Sequence, residues 1–339
     1  MRVPTWTRWL AGLALAALGP GLALGAPRAR EPVRAPGPGE PSFVQRVEPA
    51  IVGLRVRNAP GAFSSSRLGA RRAGSAVVFD PRGYALTVSY LLLDAVAVEA
   101  RTRDGRTVPA RLVGLDLDSG LGVVKLEGAG PWPAATLGSS GAVAPGARTA
   151  TVGVDEDGAL VAVVGAVQAI RRFSAYWEYM LERALYVAPA SPHWAGSAVV
   201  NDRGELVGIA SLRLGEGPHL NLAIPLDTFV PVKDELIATG RIASRPARPW
   251  LGLYTVGVEG AVVVREISPV GPAAGAGFRP GDVIVGVDGV RVDSQEAFYA
   301  RLWARRAGDV IEVAVRRRDE VRVIRVTSVD RHDLYRVRE

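Results

Sequence analysis

The side chains best suited to nucleophilic chemistry lie in one short segment, residues 191–201, which reads S-P-H-W-A-G-S-A-V-V-N. His193 and Ser197 stand four residues apart there, and an imidazole beside a hydroxyl is the smallest set for nucleophilic catalysis. No carboxylate that would orient this imidazole is evident. The other histidines, His219 and His332, lie elsewhere, and metal-ligand spacing is absent. A catalytic His193–Ser197 pair is one interpretation, and a loop without chemistry is the other.

The same segment resembles the nucleophile loop of the HtrA-like serine proteases, which have the trypsin fold. That family's pattern runs N-P-G-N-S-G-G-P-L-V-N and continues into a D-G-E-V-I-G-I hairpin, whereas residues 202–209 read D-R-G-E-L-V-G-I. With Asn201 and Gly204 as anchors, the family's serine falls on Ala195 without a gap. Shifting the frame so that Ser197 becomes the nucleophile breaks these anchors. The resemblance implies that the loop is kept while a methyl group replaces its nucleophile.

A hairpin early in the chain resembles the family element that carries the catalytic histidine. Residues 74–79 are apolar, 80–83 (D-P-R-G) have Pro and Gly where a type I turn places them, and 84–88 return as the partner strand. The family's T-N-N-H falls on T-V-S-Y, so Tyr90 replaces the histidine. An unperturbed phenol has a pKa of about 10 and is a poor base at neutral pH. Tyr90 is therefore predicted to pack as a core aromatic residue.

A third motif, G-L-D-L-D-S-G-L-G-V-V-K-L at 114–126, resembles the family's G-x-D-x-x-T-D-L-A-V-L-K, which carries the aspartate that orients the histidine. The catalytic aspartate falls on Gly120, and Asp116, Asp118 and Ser119 are interpreted as polar residues of a turn. The residues predicted at the three triad positions are Tyr90, Gly120 and Ala195. Losing the serine or histidine alone costs on the order of a millionfold in turnover. The sequence therefore predicts a pseudoprotease that is not an enzyme.

The C-terminal part resembles the PDZ domain found in this family. Residues 249–253 (P-W-L-G-L) match its carboxylate-binding loop, and 268–284 match its S-P-A-A-x-A-G-L/F-x-x-G-D-V-I run with a short insertion. A PDZ domain adds an extended peptide as a strand and holds the terminal carboxylate with loop amides. The residues implied for peptide binding are Trp250, Leu251, Gly252 and Leu253 in the loop and Phe298 and Leu302 on one helix face. The last two either line the pocket for an apolar C-terminal side chain or fill the domain core.

Two helices are predicted within the protease-like region. Trp177, Met180, Leu181 and Ala184 fall at helical spacing, which predicts a short amphipathic helix within 171–185. This helix would cover the vacant cleft or pack on the surface. A second helix is predicted over 229–239, ended by Gly240.

Composition favours an exported, β-rich protein. Among 339 residues there are 39 Gly and 24 Pro, which suits many short strands joined by turns. Residues 1–26 combine early arginines, an apolar run and small residues, the pattern of a cleaved secretory signal. An uncleaved membrane anchor is the alternative. The formal net charge is +7, but the arginines are scattered, so no nucleic-acid partner is predicted.

These observations combine into one prediction of architecture and function. The fold class is mostly β, a trypsin-like double β-barrel followed by an α+β PDZ domain. The predicted segments are a signal peptide (1–26), a Pro-rich linker (27–41), a degenerate protease domain (42–240), a linker (241–248), a PDZ domain (249–330) and a tail (331–339). The predicted location is the periplasm or the cell exterior.

The predicted function is binding of polypeptide C-termini or misfolded proteins, in protein quality control or as a regulator that docks on an active HtrA-like protease. No cofactor and no metal are predicted. The resemblance also implies a homotrimer. The alternative function is a serine endopeptidase with a non-standard nucleophile and base.

Overall fold

A closed barrel of six antiparallel strands comes first in this computed structural model, which describes residues 41–335. The predicted signal peptide, residues 27–40 of the linker and residues 336–339 of the tail lie outside the described residues. The strands are β1 (Ile51–Asn58), β2 (Arg71–Asp80), β3 (Tyr84–Val88), β4 (Ala95–Arg101), β5 (Thr107–Asp116) and β6 (Leu121–Leu126). Three short helices accompany them, α1 (Ser42–Val47), α2 (Ser65–Leu68) and α3 (Ser89–Leu92). The strand order around the barrel is β1-β2-β3-β6-β5-β4.

A second closed barrel follows, with the strand order β10-β11-β12-β9-β8-β7. Its strands are β7 (Arg148–Val154), β8 (Leu160–Ala175), β9 (Tyr179–Ala188), β10 (Ala198–Asn201), β11 (Leu206–Leu214) and β12 (Leu220–Pro225). The turn between β10 and β11 needs a left-handed residue, which Gly204 provides at φ +78°. Apolar side chains from both barrels form one continuous buried cluster.

The helix predicted within 171–185 is wrong, because this segment forms the β8–β9 hairpin. Ala175 pairs with Tyr179, and residues 176–178 form the turn between them. The apolar residues are spaced as in a helix because consecutive residues of β9 are buried, from Tyr179 to Leu181. Met180 packs into the core of the C-terminal domain while Tyr179 and Leu181 pack into the barrels. Burial on both faces thus conceals the alternation that identifies a strand.

The helix predicted at 229–239 begins later than expected. Residues 226–228 and 230–232 are 3₁₀ turns, and α4 spans Lys233–Thr239. Pro231 lies in the second of these turns. Gly240, at φ +74°, ends α4 in the left-handed conformation as predicted.

The C-terminal domain is an α+β unit with its own apolar core. Its strands are β13 (Pro249–Trp250), β14 (Leu253–Val258), β15 (Ala261–Ile267), β16 (Val283–Val287), β17 (Val290–Arg291), β18 (Val310–Arg317), β19 (Glu320–Thr327) and β20 (Val329–Asp330), and its helices are α5 (Ala273–Ala276) and α6 (Gln295–Leu302). The main sheet has the order β14-β15-β16-β18-β19, with β17 paired to β16, so β14 is an edge strand. Ser294 caps the start of α6, because its hydroxyl accepts from the Ala297 amide.

The predicted mostly β architecture is confirmed. Ion pairs connect the barrels to the segment that leads into the C-terminal domain, with Arg245 on Asp116 at 3.2 Å and Arg248 on Asp118 at 3.4 Å. No helix within residues 41–335 is long and apolar enough to cross a bilayer.

Candidate functional site

Tyr90 joins the two barrels by a hydrogen bond. It lies in α3, directly after β3, and its hydroxyl donates to the carbonyl oxygen of Ser211 on β11 at 2.8 Å. Burial raises the pKa of the phenol above its ordinary value. At neutral pH the side chain is therefore a protonated donor that connects the barrels. It packs against the continuous apolar cluster, in agreement with the predicted packing role.

Gly120 lies in the tight turn between β5 and β6, at φ +82°. Its carbonyl oxygen accepts from the Ser89 amide at 2.8 Å, which ties the turn to the residue before Tyr90. A Cβ atom at this position would lie 2.9 Å from the hydroxyl oxygen of Tyr179. That hydroxyl donates to the carbonyl oxygen of Ser119 at 2.7 Å. The space beside the turn is thus filled by the β8–β9 hairpin.

Asp116 organises this same turn. Its buried carboxylate accepts from the amides of Asp118 and Ser119 at 3.1 and 3.3 Å. The guanidinium of Arg245 donates to the same carboxylate from outside the barrel. The interpretation of Asp116 as a turn residue is confirmed. Its carboxylate also forms an ion pair with Arg245, in the segment that leads to the next domain.

Ala195 is half-buried in the loop before β10, and its carbonyl oxygen accepts from the Ser75 amide at 2.8 Å. Ser197 is fully buried two residues later. Its hydroxyl donates to the backbone carbonyl of His193 at 2.5 Å and lies 3.4 Å from the Ser75 hydroxyl. The structure therefore brings Ser197 to the main chain of His193, and the hydrogen bond between them does not involve the imidazole.

The other two imidazoles lie apart from this loop. The Nδ1 atom of His219 donates to the carbonyl oxygen of Gly215 at 2.7 Å, and His332 is paired with Asp330 at 3.0 Å. In the part of the chain that the structure describes, no group of three or more His, Cys, Asp or Glu is arranged to hold a metal ion.

The loop implied for carboxylate binding does hold a carboxylate, and it comes from the second barrel. The amides of Leu251 and Leu253 donate to the two side-chain oxygens of Glu178 at 3.1 and 2.7 Å. Gly252 makes the loop turn at φ +80°, and a Cβ there would lie 2.8 Å from the Cα of Gly271. Only glycine fits that position without displacing the neighbouring backbone. The local sequence thus shapes the loop so that its amides converge on one anion.

Glu178 was missed by the sequence analysis. It stands in the turn of the β8–β9 hairpin at φ +53°, and only 3% of its surface is exposed. Burial raises the pKa of its carboxyl to about 7, although the loop amides and Arg331 act in the opposite direction. The turn Tyr176-Trp177-Glu178 has no Gly, Pro, Asn or Asp, so the sequence offers no turn signal that would have placed Glu178 at a hairpin tip.

The other residues implied for the peptide site surround this loop. Phe298 and Leu302 are fully buried and belong to the same apolar cluster as Leu251, Leu253 and Met180. Trp250 is 7% exposed and pairs with β20. The structure thus places Leu251, Leu253, Phe298 and Leu302 in the core of the C-terminal domain, and the hairpin adds Met180 to this core.

Comparisons with known proteins match both parts of this architecture. The trypsin-like peptidase domain matches residues 74–209, and the PDZ domain matches residues 249–327. The serine endoprotease DegS of Escherichia coli is 30% identical over 299 residues, 84% of this chain and 84% of that protein. A protein of Halomonas elongata, named a probable periplasmic serine endoprotease DegP-like, is 30% identical over 282 residues, 77% of this chain and 57% of that protein.

Solved structures give the same result. The serine endoprotease from Yersinia pestis has a TM-score of 0.55 and 26% identity, covering 87% of this chain and 99% of that chain. A variant of the HtrA-type protease AlgW with a tripeptide has a TM-score of 0.57 and 25% identity, covering 85% of this chain and 96% of that chain. The predicted trypsin-like double barrel followed by a PDZ domain is therefore confirmed.

The prediction that the chain is not an enzyme is contradicted by these relatives, which are named serine endoproteases and point to a protease. That prediction depended on three positions assigned from flanking motifs. The similarity to DegS, in contrast, extends over 84% of the chain.

Proposed function

Because the chain belongs to the HtrA family, whose members join a trypsin-like protease domain to a PDZ domain, we propose that it recognises polypeptides through their free C-terminal carboxylates. The observation that carries this proposal is the pair of amides of Leu251 and Leu253, which converge on one carboxylate. A variant of the related protease AlgW has been solved with a tripeptide. We propose that this chain also binds a peptide.

The chemistry of the loop suits such a ligand. Hydrogen bonds to a charged acceptor are worth more than those between neutral groups, about 1.5–3 kcal/mol each. Pairing of the peptide with β14, and burial of an apolar last side chain near Phe298 and Leu302, would add further binding free energy. A dissociation constant in the micromolar range, about 8 kcal/mol, is ordinary for peptide capture of this kind.

The test is a library of peptides with free C-termini, measured against the full chain and against its Glu178→Gly variant up to about millimolar concentration. Each peptide is compared with its C-terminal amide by fluorescence polarisation. We expect the acids to bind at least about tenfold more tightly, because amidation removes the charge that the loop amides recognise. Equal binding of acids and amides by both proteins would refute the proposal.

Peptide-bond hydrolysis is the second candidate function, and the names of the relatives favour it. The assignment of Tyr90, Gly120 and Ala195 to the triad positions stays a prediction. Under that assignment the nucleophile must come from another side chain. The candidate in the loop is Ser197, with His193 nearby in sequence.

A fluorophosphonate probe tests this second candidate with Ser197→Ala and, as the matched control, Ser75→Ala, whose hydroxyl lies 3.4 Å from that of Ser197. Labelling lost only in Ser197→Ala would assign the nucleophile to Ser197. Labelling that both variants keep would assign it elsewhere. A wild-type chain that is neither labelled nor able to cleave casein would remove this candidate.

We also propose export, since the relative from Halomonas elongata is named periplasmic. Cell fractionation with an N-terminal sequence of the purified chain tests export and cleavage together. Quality control of misfolded proteins, docking on an active relative and a homotrimer stay predictions. Light scattering of the purified protein and pulldowns from the cell envelope measure the last two.

A further inference from the structure

The carboxylate loop of the C-terminal domain is already filled within the chain. Glu178 reaches it from a hairpin of the second barrel, across 73 residues of sequence to Leu251 and 75 to Leu253. Each backbone amide carries a single hydrogen. The same two amides cannot donate to Glu178 and to the terminal carboxylate of another chain at once.

The hairpin also occupies the place of an added strand. The amide of Thr255, on the edge strand β14, donates to the carbonyl oxygen of Tyr176 at 2.9 Å. An edge strand presents unpaired amides and carbonyls, and PDZ domains pair a peptide with such an edge. The tip of the hairpin thus combines a carboxylate in the loop with a main-chain hydrogen bond to the neighbouring strand.

Helix α6 holds the hairpin from the other side. The buried Tyr299 hydroxyl donates to the carbonyl oxygen of Ala175 at 2.7 Å and accepts from the Glu178 amide at 3.2 Å. Ser174 donates to the Glu296 carboxylate at 2.6 Å. These bonds come from the helix that carries Phe298, so both walls of the implied peptide site contact the hairpin.

An apolar side chain completes the resemblance to a bound peptide. Met180, two residues after Glu178, is 9% exposed and belongs to the buried cluster of the C-terminal domain together with Leu251, Phe298 and Leu302. The hairpin therefore supplies the three elements that a captured C-terminus would supply: an anion, a main-chain acceptor and an apolar side chain.

We propose that residues 174–180 are an internal ligand of the PDZ domain, and that a polypeptide with a free C-terminal carboxylate and an apolar last residue binds only by displacing them. This proposal depends on the proposed function, since it concerns the same loop. The hairpin and the external peptide compete for one site. The apparent affinity for the peptide is reduced by the fraction of molecules in which the site is open.

Two substitutions at the tip test the competition in the full chain. Glu178→Gln keeps the shape but replaces one of the two acceptor oxygens by an NH2 group, which cannot accept a hydrogen bond from a loop amide. Glu178→Gly removes the side chain and suits the positive φ of this position. The matched control is Glu182→Gln, on the same hairpin, where the carboxylate is exposed and pairs with Arg172.

We expect a peptide with a free C-terminus to bind Glu178→Gly at least about tenfold more tightly than wild type. The affinity of Glu178→Gln for the peptide should lie between those two, and the affinity of Glu182→Gln should equal that of wild type. Equal affinities for wild type and both Glu178 variants would overturn the internal ligand while leaving the proposed function intact. If neither wild type nor any variant binds the acid better than its amide, the proposed function itself fails.

Hydrogen exchange of the wild-type chain gives a second measurement that does not depend on how the variants fold. Saturating peptide should accelerate exchange of the Glu178 amide, because displacement removes its acceptor, the Tyr299 hydroxyl. Peptide binding that leaves exchange in this segment unchanged would contradict displacement.

Discussion

Raising the pH from about 5 to about 8 should tighten the binding of a C-terminal peptide, because it weakens the docking of Glu178. Burial raises the pKa of the docked carboxyl to about 7 from its ordinary value of 4.5. Docking is therefore strongest below pH 4.5, where the carboxyl is protonated in both states. It weakens as the pH rises through about 7, because the undocked carboxyl has already lost its proton. At higher pH both states are ionised and the docking free energy is constant.

The size of the effect follows from the two pKa values. At about 1.4 kcal/mol per pKa unit, their difference corresponds to about 3 kcal/mol of docking free energy. That is up to about a 100-fold change in the docking equilibrium, and the apparent peptide affinity follows it. The carboxylate of the peptide itself has a pKa of about 3.5, so it stays ionised over this range and adds little.

Other charged groups surround Glu178 and require a control. Arg331 and Tyr299 face it directly. The cavity beside it is also lined by the charged or titratable residues Asp118, Arg248, Asp330 and His332. The Glu178→Gln variant keeps all of these groups and removes only the carboxyl, so it isolates the contribution of Glu178.

The assay is fluorescence polarisation of one labelled peptide at four pH values and constant ionic strength, with wild type and Glu178→Gln side by side. Wild type should bind more tightly at each step towards pH 8, and the variant should show a nearly flat profile. A flat or reversed profile for wild type would refute the reasoning, as would the same slope in the variant.

Three further predictions concern the contacts around the cleft and the hairpin, each measured by urea denaturation. Gly120→Ala should destabilise the chain by about 2–3 kcal/mol, because the new Cβ atom meets Tyr179 and the backbone is left-handed. Gly105 is the control: its φ is also positive, but a Cβ atom there has no neighbour within 4 Å, so Gly105→Ala should cost only about 1 kcal/mol. Equal losses would show that Tyr179 does not press on the turn. Tyr299→Phe should cost about 1–3 kcal/mol, because it leaves the Ala175 carbonyl and the Glu178 amide buried without their partner, and it should also tighten peptide binding. Asp116→Ala should cost about 2 kcal/mol through the loss of two amide acceptors in the turn, and a neutral result would contradict that role.

Much of the fold was predictable because its signals are local. The D-P-R-G turn at 80–83 and the Asp104-Gly105 pair each lie between apolar stretches, and both mark hairpins in the structure. Gly240 was predicted to end a helix and does so in a left-handed conformation. Such features depend on a few consecutive residues, whose backbone preferences act whatever the rest of the chain does.

The site was predictable only in part. The loop 249–253 was identified from its residues, and its amides do converge on a carboxylate. The source of that carboxylate was not predicted, because the helical spacing of Trp177, Met180 and Leu181 concealed a hairpin. A strand buried on both faces loses its alternation, and the faces are buried by two different domains.

The sequence by itself determined the hairpins whose turns carry local signals and the loop whose amides bind a carboxylate, but not the β8–β9 hairpin. The tertiary structure alone decided what those amides hold, since Glu178 meets Leu251 and Leu253 across 73 and 75 residues. It likewise decided that Tyr90 reaches Ser211, 121 residues away, across the two barrels. Turn and strand preferences act between neighbours in the chain, whereas these partners meet only after two barrels and a third domain have packed against one another.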